Sequence, residues 1–209
     1  LLIEYRPDTA HKGVNGNLLI IGGSGDMVGA PMLAGEAAVH SGAGKTTLAV
    51  PEKIQKIVQG RIIPEVMVTS ITADISGLCH QRNVVAIGPG LGRTGEVKTL
   101  VQSVLTMCDN PLVIDADALY AMGHIGIVNQ EAVVSGDLNK LYSVSKSIPS
   151  CVMTPHLGEF SRLINMPVKW IERNYVIVAR AFAMAHNVVL VLKGIPSLVA
   201  LPDGTVYIN

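Results

Sequence analysis

The stretch that decides the fold is "NLLIIGGSGDMVGAPMLAGEAAVHSG", Asn17 to Gly42. An apolar run of strand length comes first, a glycine turn follows, and an alanine-rich segment ends at a glycine. The first part is typical of a buried strand and the last part of a helix with a glycine stop. A strand that leads into a helix through a glycine turn is the repeating unit of parallel α/β sheets. In such sheets this turn lies at the ligand-binding edge.

The same alternation continues along the chain. Helices are expected over 94–107 and 168–186, and a third begins at Thr154 as cap with Pro155 in its first position. Apolar strands separated by helices predict a mostly parallel sheet with both faces covered. The last segment predicts an antiparallel hairpin that turns at Asp203-Gly204. Residues 123–149 are the least regular and are interpreted as a surface excursion. Further strands are expected in "TTLAVP", "VVAIGPGLG", "PLVIDADAL", "CVM" and "VVLVLKG".

Composition limits the class of protein. The 209 residues are 49% hydrophobic and 15% charged, which predicts a single folded domain over 1–209. The net charge is zero and the cations are scattered, which argues against a nucleic-acid partner. The apolar runs are too short to span a membrane. Three cysteines without metal-ligand spacing indicate buried, reduced thiols in a cytoplasmic protein.

One stretch, "SGAGKTT" at 41–47, imitates a phosphate-binding P-loop. The true motif needs a glycine where this chain has Val39, and it joins a strand to the helix that follows it. Here a helix precedes the stretch and a strand follows it. Lys45 is therefore predicted to lie in an ordinary turn between a helix and a strand.

Five turns rich in glycine or polar residues follow predicted strands. Each has an ordinary structural explanation, because strand ends need glycine and acidic residues cap helices. Together on one edge of a sheet, they predict a site for an anionic, nucleotide-like ligand. The five turns are 22–31, 88–93, the pair Asp115 and Asp117, the pair His156 and Glu159, and 193–197.

These motifs resemble a known family. "HKGVNGNLLIIGGSGDMVGAPMLAGEAAVHSGAG", "AIGPGLGR", "VIDADAL", "MTPHLGEFSRL" and "VLKGIPSLVALPDGTVYIN" occur in the order found in NAD(P)H-hydrate dehydratases. That family is related to the C-terminal half of bacterial bifunctional NAD(P)HX epimerase/dehydratase proteins, and the match runs from Lys12 to Asn209. The resemblance implies a ribokinase-like fold: a three-layer α/β/α sandwich around a mostly parallel central sheet.

The resemblance also implies a reaction in nicotinamide nucleotide repair. ADP drives dehydration of (S)-NADHX or NADPHX to NADH or NADPH, with release of AMP and phosphate. Phosphorylation of the C6 hydroxyl would make it a leaving group. The ring nitrogen then expels phosphate, and loss of a C5 proton restores the dihydropyridine. Backbone N–H groups and Mg²⁺ would neutralise the phosphates. ATP is the alternative donor, and the His of "TPH" favours ADP.

Site residues follow from the matching motifs. The hydrated dinucleotide is expected to contact Ala30, His156 and a glycine of "GPGLG", Gly90 or Gly92. Asp115 and Asp117 are candidates for metal binding or for organising the site. The adenine nucleotide is expected along Lys193, Gly194, Ile195, Pro196 and Ser197, with Lys193 near the phosphates.

The chain departs from the family at its end. There the final hairpin is followed by a glycine-rich "GTGD" segment whose Asp is the expected catalytic base, but this sequence stops at Asn209. We therefore expect the C-terminal part of the domain to be missing, no catalytic residue in the chain as given, and no turnover from it. We also expect exposed apolar sheet surface, with aggregation or dependence on a partner.

Two alternatives remain open from the sequence. One is a ribokinase-like kinase of a small alcohol, and the other is a nucleotide-binding module without catalysis. The resemblance further implies a homotetramer, and a fusion or pairing with an NAD(P)HX epimerase.

Overall fold

The computed structural model describes residues 15–80, 82–128, 142–144, 149 and 151–209. Within these residues nine strands form one sheet, in the order β11-β10-β9-β8-β5-β4-β1-β2-β3, and β6 pairs with β7 separately. The strands are β1 Asn17–Ile21, β2 Lys45–Val50, β3 Val66–Ser70, β4 Val84–Ile87, β5 Leu112–Ile114, β6 Gly126–Val128, β7 Tyr142–Val144, β8 Cys151–Met153, β9 Val189–Leu192, β10 Leu198–Ala200 and β11 Val206–Ile208. The helices are α1 Gly29–His40, α2 Glu52–Gln59, α3 Ile75–Cys79, α4 Gly95–Met107, α5 Ala116–Met122, α6 Leu157–Ile164, α7 Val168–Arg173 and α8 Tyr175–His186.

The strand order reverses direction between β1 and β4. The chain runs outward from β1 through β2 to β3, then crosses back to β4 on the other side of β1, with parallel pairing throughout. Parallel pairing continues through β5 and β8 to β9, whereas β10 and β11 are antiparallel. The predicted mostly parallel sheet with a terminal hairpin is confirmed. Ligands of such sheets bind beyond the strand ends at the point of reversal.

Helices cover the sheet on two sides. On one side α1 and α2 pack over β1 to β3, around a core cluster that includes Ile20, Leu48 and Ile54. On the other side a larger cluster runs from Val101 in α4 to Phe182 in α8. This arrangement is the predicted three-layer sandwich. It places the helix N-termini after β1 and β4 at one edge of the sheet.

The side occupied by α1 and α2 has a row of valines beyond their reach. Inward positions of β5, β8, β9 and β10 are buried in the larger cluster, whereas the alternate positions are partly exposed and belong to neither cluster of the described residues. Strand register joins these alternate positions into one apolar row. These partly exposed valines agree with the expectation that apolar sheet surface is exposed. Its members are Val113, Val152, Val189, Val191 and Val199.

Several local expectations hold and others are wrong. Lys45 begins β2 directly after a turn, so the P-loop interpretation is excluded by context. The helix expected over 168–186 is two helices, because Asn174 leaves helical geometry (φ −119°, ψ 22°). The helix expected to be capped by Thr154 begins instead at Leu157.

Some features escaped the sequence or lie outside the described residues. β3 and α3 were not predicted individually. Most of the irregular 123–149 region lies outside the described residues. The three cysteines are buried and free, as expected. No described helix is long and apolar enough to cross a bilayer.

Candidate active site

Two glycine turns meet where the strand order reverses. The N–H of Gly23 donates to the carbonyl of Pro89 at 2.8 Å, and the N–H of Gly88 donates to Ile21 at 3.1 Å. A Cβ at Gly22 would lie 2.5 Å from the Pro89 oxygen, closer than any side chain tolerates. Glycine is therefore required here, because the turns after β1 and β4 pack backbone against backbone.

The same meeting point gathers the residues expected to hold the dinucleotide. Gly90 has φ +68°, and a Cβ there would lie 2.8 Å from the Met27 oxygen and 3.2 Å from the Ala30 Cβ. A Cβ at Gly92 would lie 3.9 Å from the Ser24 Cβ. Gly90 is buried and Ala30 is exposed, at the first turn of α1. These three residues thus surround one spot on the rim.

Helix α1 begins at this spot. No side chain caps its first turn, so the backbone N–H groups of Gly29 and Ala30 are available to an outside acceptor, whereas Pro31 has no N–H. The positive end of the helix dipole points the same way. Together they favour an anionic group of a ligand beside Ala30.

Backbone pairing continues past the strand ends and ties the other turns to this edge. Each of three turn residues donates its N–H to a carbonyl of the neighbouring strand or its extension. The turns after β4, β5, β8 and β9 are therefore held side by side, in the order that the sheet sets. The three bonds run from Asp115 to Ile87 at 3.1 Å, from Thr154 to Ile114 at 3.1 Å and from Lys193 to Pro155 at 2.8 Å.

Lys193 reaches across this row to Asp115. Its ammonium nitrogen lies 2.8 Å from Oδ1 of Asp115, and both side chains are partly exposed. An ammonium carries three donors, so one bond to a carboxylate leaves two for another ligand. Lys193 is thus held at the rim with capacity for a phosphate.

Asp117 points inward and holds the second glycine turn. The residue is 8% exposed. Its Oδ2 accepts from the N–H of Gly92 at 2.9 Å, and its Oδ1 accepts from Nε of Arg93 at 3.2 Å. Burying a carboxylate is tolerated only with such charge-assisted bonds. Asp117 is a positioning residue for the turn that carries Gly90 and Gly92.

This donor set does not fit a dedicated magnesium site. Both oxygens of Asp117 are used by Gly92 and Arg93, and one oxygen of Asp115 is used by Lys193. In the described part of the chain, no group of three or more His, Cys, Asp or Glu residues is placed to hold a metal ion. Magnesium that arrives with a nucleotide keeps most of its ligands as phosphate oxygens and water.

His156 caps α6 through its side chain. Nδ1 accepts from the N–H groups of Gly158 at 3.0 Å and Glu159 at 3.3 Å, while Oε2 of Glu159 accepts from the N–H of His156 at 2.8 Å. This is a capping box with histidine in the usual place of Ser or Thr. Because Nδ1 accepts, the ring proton lies on Nε2. Nε2 lies 3.4 Å from Oε1 of Glu159, and the side chain of His156 is 60% exposed.

The turn 193–197 is fixed by a residue from another helix. The hydroxyl of Tyr175, at the start of α8, shares its proton between the carbonyls of Leu192 at 3.0 Å and Pro196 at 3.1 Å. Burial raises the pKa of Tyr175, so the hydroxyl stays a donor. Inside the turn, Oγ of Ser197 donates to the carbonyl of Gly194 at 3.1 Å. The exposed Ile195 lies at its tip.

Sequence reasoning missed four residues of this edge. Tyr175 and Tyr120 carry no local signal, because each acts on a turn distant in sequence. Arg93 is the last residue of the "AIGPGLGR" motif, and the sequence suggested no role for it. Arg162 lies on α6, where the cation is packed over the Tyr120 ring.

Comparison with known proteins fits this geometry. The family model described as NAD(P)H-hydrate dehydratase matches residues 18–209. The chain belongs to this family. A dehydratase-family assignment agrees with the glycine turns at the strand reversal, and with the "TPH" and "KGIPS" turns on the same edge.

Two relatives are about one-third identical to this chain. The chain is 32% identical to the ADP-dependent (S)-NAD(P)H-hydrate dehydratase of Bacillus subtilis, over 99% of this chain and 68% of that protein. It is 35% identical to the bifunctional NAD(P)H-hydrate repair enzyme Nnr of Moorella thermoacetica, over 99% of this chain but only 38% of that longer protein.

Solved structures agree on the fold. The ADP/ATP-dependent NAD(P)H-hydrate dehydratase from Bacillus subtilis, co-crystallized with ATP/Mg²⁺, superposes with a TM-score of 0.77 at 29% identity. That match covers 99% of this chain and 68% of the solved chain. A ribokinase-like superfamily protein of Enterococcus faecalis superposes with a TM-score of 0.74 at 26% identity, over 95% of this chain and 64% of that chain.

Proposed function

We propose that this chain binds hydrated NADH or NADPH and ADP side by side, and serves the ADP-dependent dehydration that restores the reduced dinucleotide. The observation that supports this most is the hydrogen-bonded row of turns on the carboxyl edge, from Gly23 through Asp115 and His156 to Lys193. The row offers two separate ends for two phosphorylated ligands. Membership in the dehydratase family supplies the chemistry.

The dinucleotide occupies the end at the strand reversal. The first turn of α1 beside Ala30 offers N–H groups to an anionic group. At Gly92 the nearest atoms to a Cβ would be 3.9 Å away, which leaves room for a ligand to approach the backbone, whereas the space at Gly90 is filled by Met27 and Ala30 and lets the turn pack against α1. The largely exposed ring of His156 contacts the substrate from the neighbouring turn. Asp117 holds Gly92 and so fixes the shape of this pocket.

The adenine nucleotide occupies the end formed by residues 193–197. Lys193 is the cation for its phosphates, and the turn held by Tyr175 contacts the rest of the nucleotide. Transfer of the β-phosphoryl group of ADP to the C6 hydroxyl would release AMP. Expulsion of phosphate and loss of the C5 proton then yield the reduced nicotinamide. ATP is the alternative donor, and Mg²⁺ would be brought by the nucleotide.

Other parts of the proposal rest on the family alone. Residues 1–209 are taken as one ribokinase-like domain, and the base that accepts the C6 hydroxyl proton is expected beyond Asn209. A homotetramer, a linked or separate NAD(P)HX epimerase and a cytoplasmic location complete the proposal.

Turnover tests the proposal directly. Hydrated NADPH is incubated with ADP, and NADPH is followed by its absorbance. The protein is assayed both as this chain and extended by any residues that its reading frame encodes beyond Asn209. We expect turnover by the extended protein. Lys193→Ala in that protein should raise KM for ADP about tenfold or more, because it removes a charged contact to phosphate.

A matched variant controls for charge loss. Lys56 is exposed on α2, away from the row of turns, so Lys56→Ala should leave KM for ADP unchanged. An extended protein that is folded, binds ADP and stays inert on hydrated NADH and NADPH would refute the dehydratase proposal. Binding of ADP without turnover of any substrate would favour a nucleotide-binding module.

A further inference from the structure

Two arginines converge on one tyrosine beside the proposed dinucleotide site. The guanidinium carbon of Arg93 lies 4.4 Å from the centre of the Tyr120 ring, and that of Arg162 lies 4.2 Å from the same centre. The distance between the two guanidinium carbons is therefore at most the sum of their two distances to the ring centre. The face of the ring stabilises each guanidinium, and an anion beside the ring would be attracted by both charges.

The pair is built from three separate elements. Arg93 follows the turn after β4, Tyr120 lies on α5 and Arg162 lies on α6. Nε of Arg93 is fixed by the buried carboxylate of Asp117 at 3.2 Å, which sets the direction of its guanidinium. Its side chain remains 62% exposed, which leaves the other donors of the guanidinium available to a ligand.

A cavity opens beside this pair. Its volume is about 280 Å³, and its lining includes Arg93, Lys98, Tyr120 and Thr94. Arg93 and Lys98 face this cavity, whereas Arg162 lines a separate cavity and approaches the same Tyr120 ring. The charged residues that line the cavity are all positive.

Nearby carboxylates do not cancel this charge entirely. Asp117 compensates part of the charge of Arg93 through Oδ1. Glu96, in the first turn of α4, is exposed and does not line the cavity. Glu159 is bound to the backbone and ring of His156. The local balance stays positive with Arg93, Lys98 and Arg162 against Asp117.

We propose that Arg93 and Arg162, with Tyr120 between them and Lys98 at the cavity wall, form a subsite for a phosphate group of the dinucleotide. This rests on the proposed function, and names a specificity element of the same site. The planar guanidinium fork matches phosphate oxygens in pairs. Arg93 is the neighbour of Gly92 in the chain, so a dinucleotide against that glycine has its phosphates within reach.

Equilibrium binding to the full chain tests the subsite without requiring turnover. The probes are NADPH and NADH, whose fluorescence changes on binding. Arg162→Met keeps an unbranched side chain and removes the charge that lies over Tyr120. It should weaken binding of at least one probe about tenfold, the value of one charge-assisted contact. Arg162→Lys should recover part of this loss, because charge remains without the fork.

Two further variants serve as a charge control and as a second test of the subsite. Arg61→Met removes an equal charge at the opposite edge of the sheet and should leave both dissociation constants unchanged. Arg93→Gln should weaken the same probe as Arg162→Met. Arg93→Gln also removes a charged partner of the buried Asp117 carboxylate. Thermal melting of this variant checks that the protein is still folded.

The pattern between probes identifies the phosphate. Loss for NADPH alone assigns the subsite to the 2′-phosphate, and equal loss for NADPH and NADH assigns it to the diphosphate bridge. Both outcomes support the subsite. If Arg162→Met and Arg93→Gln both bind NADPH and NADH as tightly as the wild type does, the subsite proposal is wrong and the proposed function still stands. A folded wild type that binds neither probe counts against the proposed function itself.

Discussion

The two faces of the sheet differ sharply between β5 and β10. One face carries Leu112, Met153 and Leu190, which are at most 1% exposed beneath helices α4 to α8. The other face carries Val113, Val152 and Val189 at the alternating positions, partly exposed and outside both core clusters of the described residues. Both faces are apolar, so residue type alone does not distinguish them.

This difference shows what apolar patterning means in a parallel sheet. Continuously apolar strands are typical of sheets that are buried on both faces, and the pattern does not say which elements cover each face. The valine row is therefore a surface suited to further packing, whereas the opposite face is already a closed core. The contrast leads to four predictions, from the largest effect to the smallest.

Truncation of a core aromatic should have the largest effect. Phe182 is fully buried, and its ring meets the edge of Phe160 with centroids 5.2 Å apart. Phe182→Ala should lower the free energy of unfolding by about 3–5 kcal/mol, because it removes apolar contacts and leaves a cavity. The matched change on the other face, Val152→Ala, should cost about 1 kcal/mol. Denaturant titration measures both, and a loss of about 2 kcal/mol or more for Val152→Ala would show that the valine row is covered in solution.

The closed face also holds a buried titratable residue. Burial lowers the pKa of His186 from 6.5 to about 4, because the charged ring loses its hydration. The unfolded chain takes up the proton below pH 6.5 and the folded chain does not. Stability should thus fall as pH drops from 6.5 towards 4, by at most about 1.4 kcal/mol per pH unit.

Replacement of that ring isolates its contribution. In His186→Leu the slope of stability against pH between 6.5 and 4 should become shallower, as followed by denaturant titration at several pH values. Unchanged slopes in both proteins would mean that His186 keeps its ordinary pKa.

A third prediction concerns the sheet face that carries the valine row, at the part where α1 and α2 cover it. A Cβ at Gly35 in α1 would lie 3.0 Å from Cδ2 of Leu48 in β2. Gly35→Ala gains about 1 kcal/mol of helix propensity, and loses about 1–3 kcal/mol to crowding. We expect a net loss of about 1 kcal/mol in thermal unfolding. Gly29→Ala, with no neighbouring atom within 4 Å, should show no such crowding.

The smallest change in stability should come with a change in association. The double variant Val113→Thr and Val152→Thr keeps side-chain shape and adds polarity to the valine row. It should change the free energy of unfolding by about 1 kcal/mol or less, but reduce dye binding and self-association in light scattering. Met107→Thr makes a similar exchange at a residue 54% exposed at the end of α4. Equal effects of the two exchanges would argue against a special role of the row.

Much of the fold was predictable from local patterns. The strands and the turns at 22–31 and 88–93 could be read because apolar runs that end in glycine have few other interpretations. Gly22 and Gly90 show why, since backbone packing leaves no space for a side chain. The expected roles of Ala30, Gly90, Gly92, His156 and residues 193–197 in binding stay predictions, although the structure brings them to one edge.

Other features needed the assembled chain. Thr154 had the residue type of a cap, but its N–H extends the sheet pairing to Ile114, so the chain stays straight until His156 takes over the cap. The break at Asn174 has no glycine or proline beside it. Its amide donates to the carbonyl of Trp170 at 2.9 Å, where the chain passes from α7 to α8.

The sequence by itself determined where most strands and the glycine turns fall, because those depend on neighbours a few residues away. The start of α6 at Leu157 and the break at Asn174 did not follow from it. Only the tertiary structure decided that Asp117 clamps Gly92, that Tyr175 holds the 193–197 turn and that Arg93 and Arg162 share Tyr120. These contacts join side chains from separate helices and turns. Their energy appears only when the sheet has set the order of its strands, and no local pattern records it.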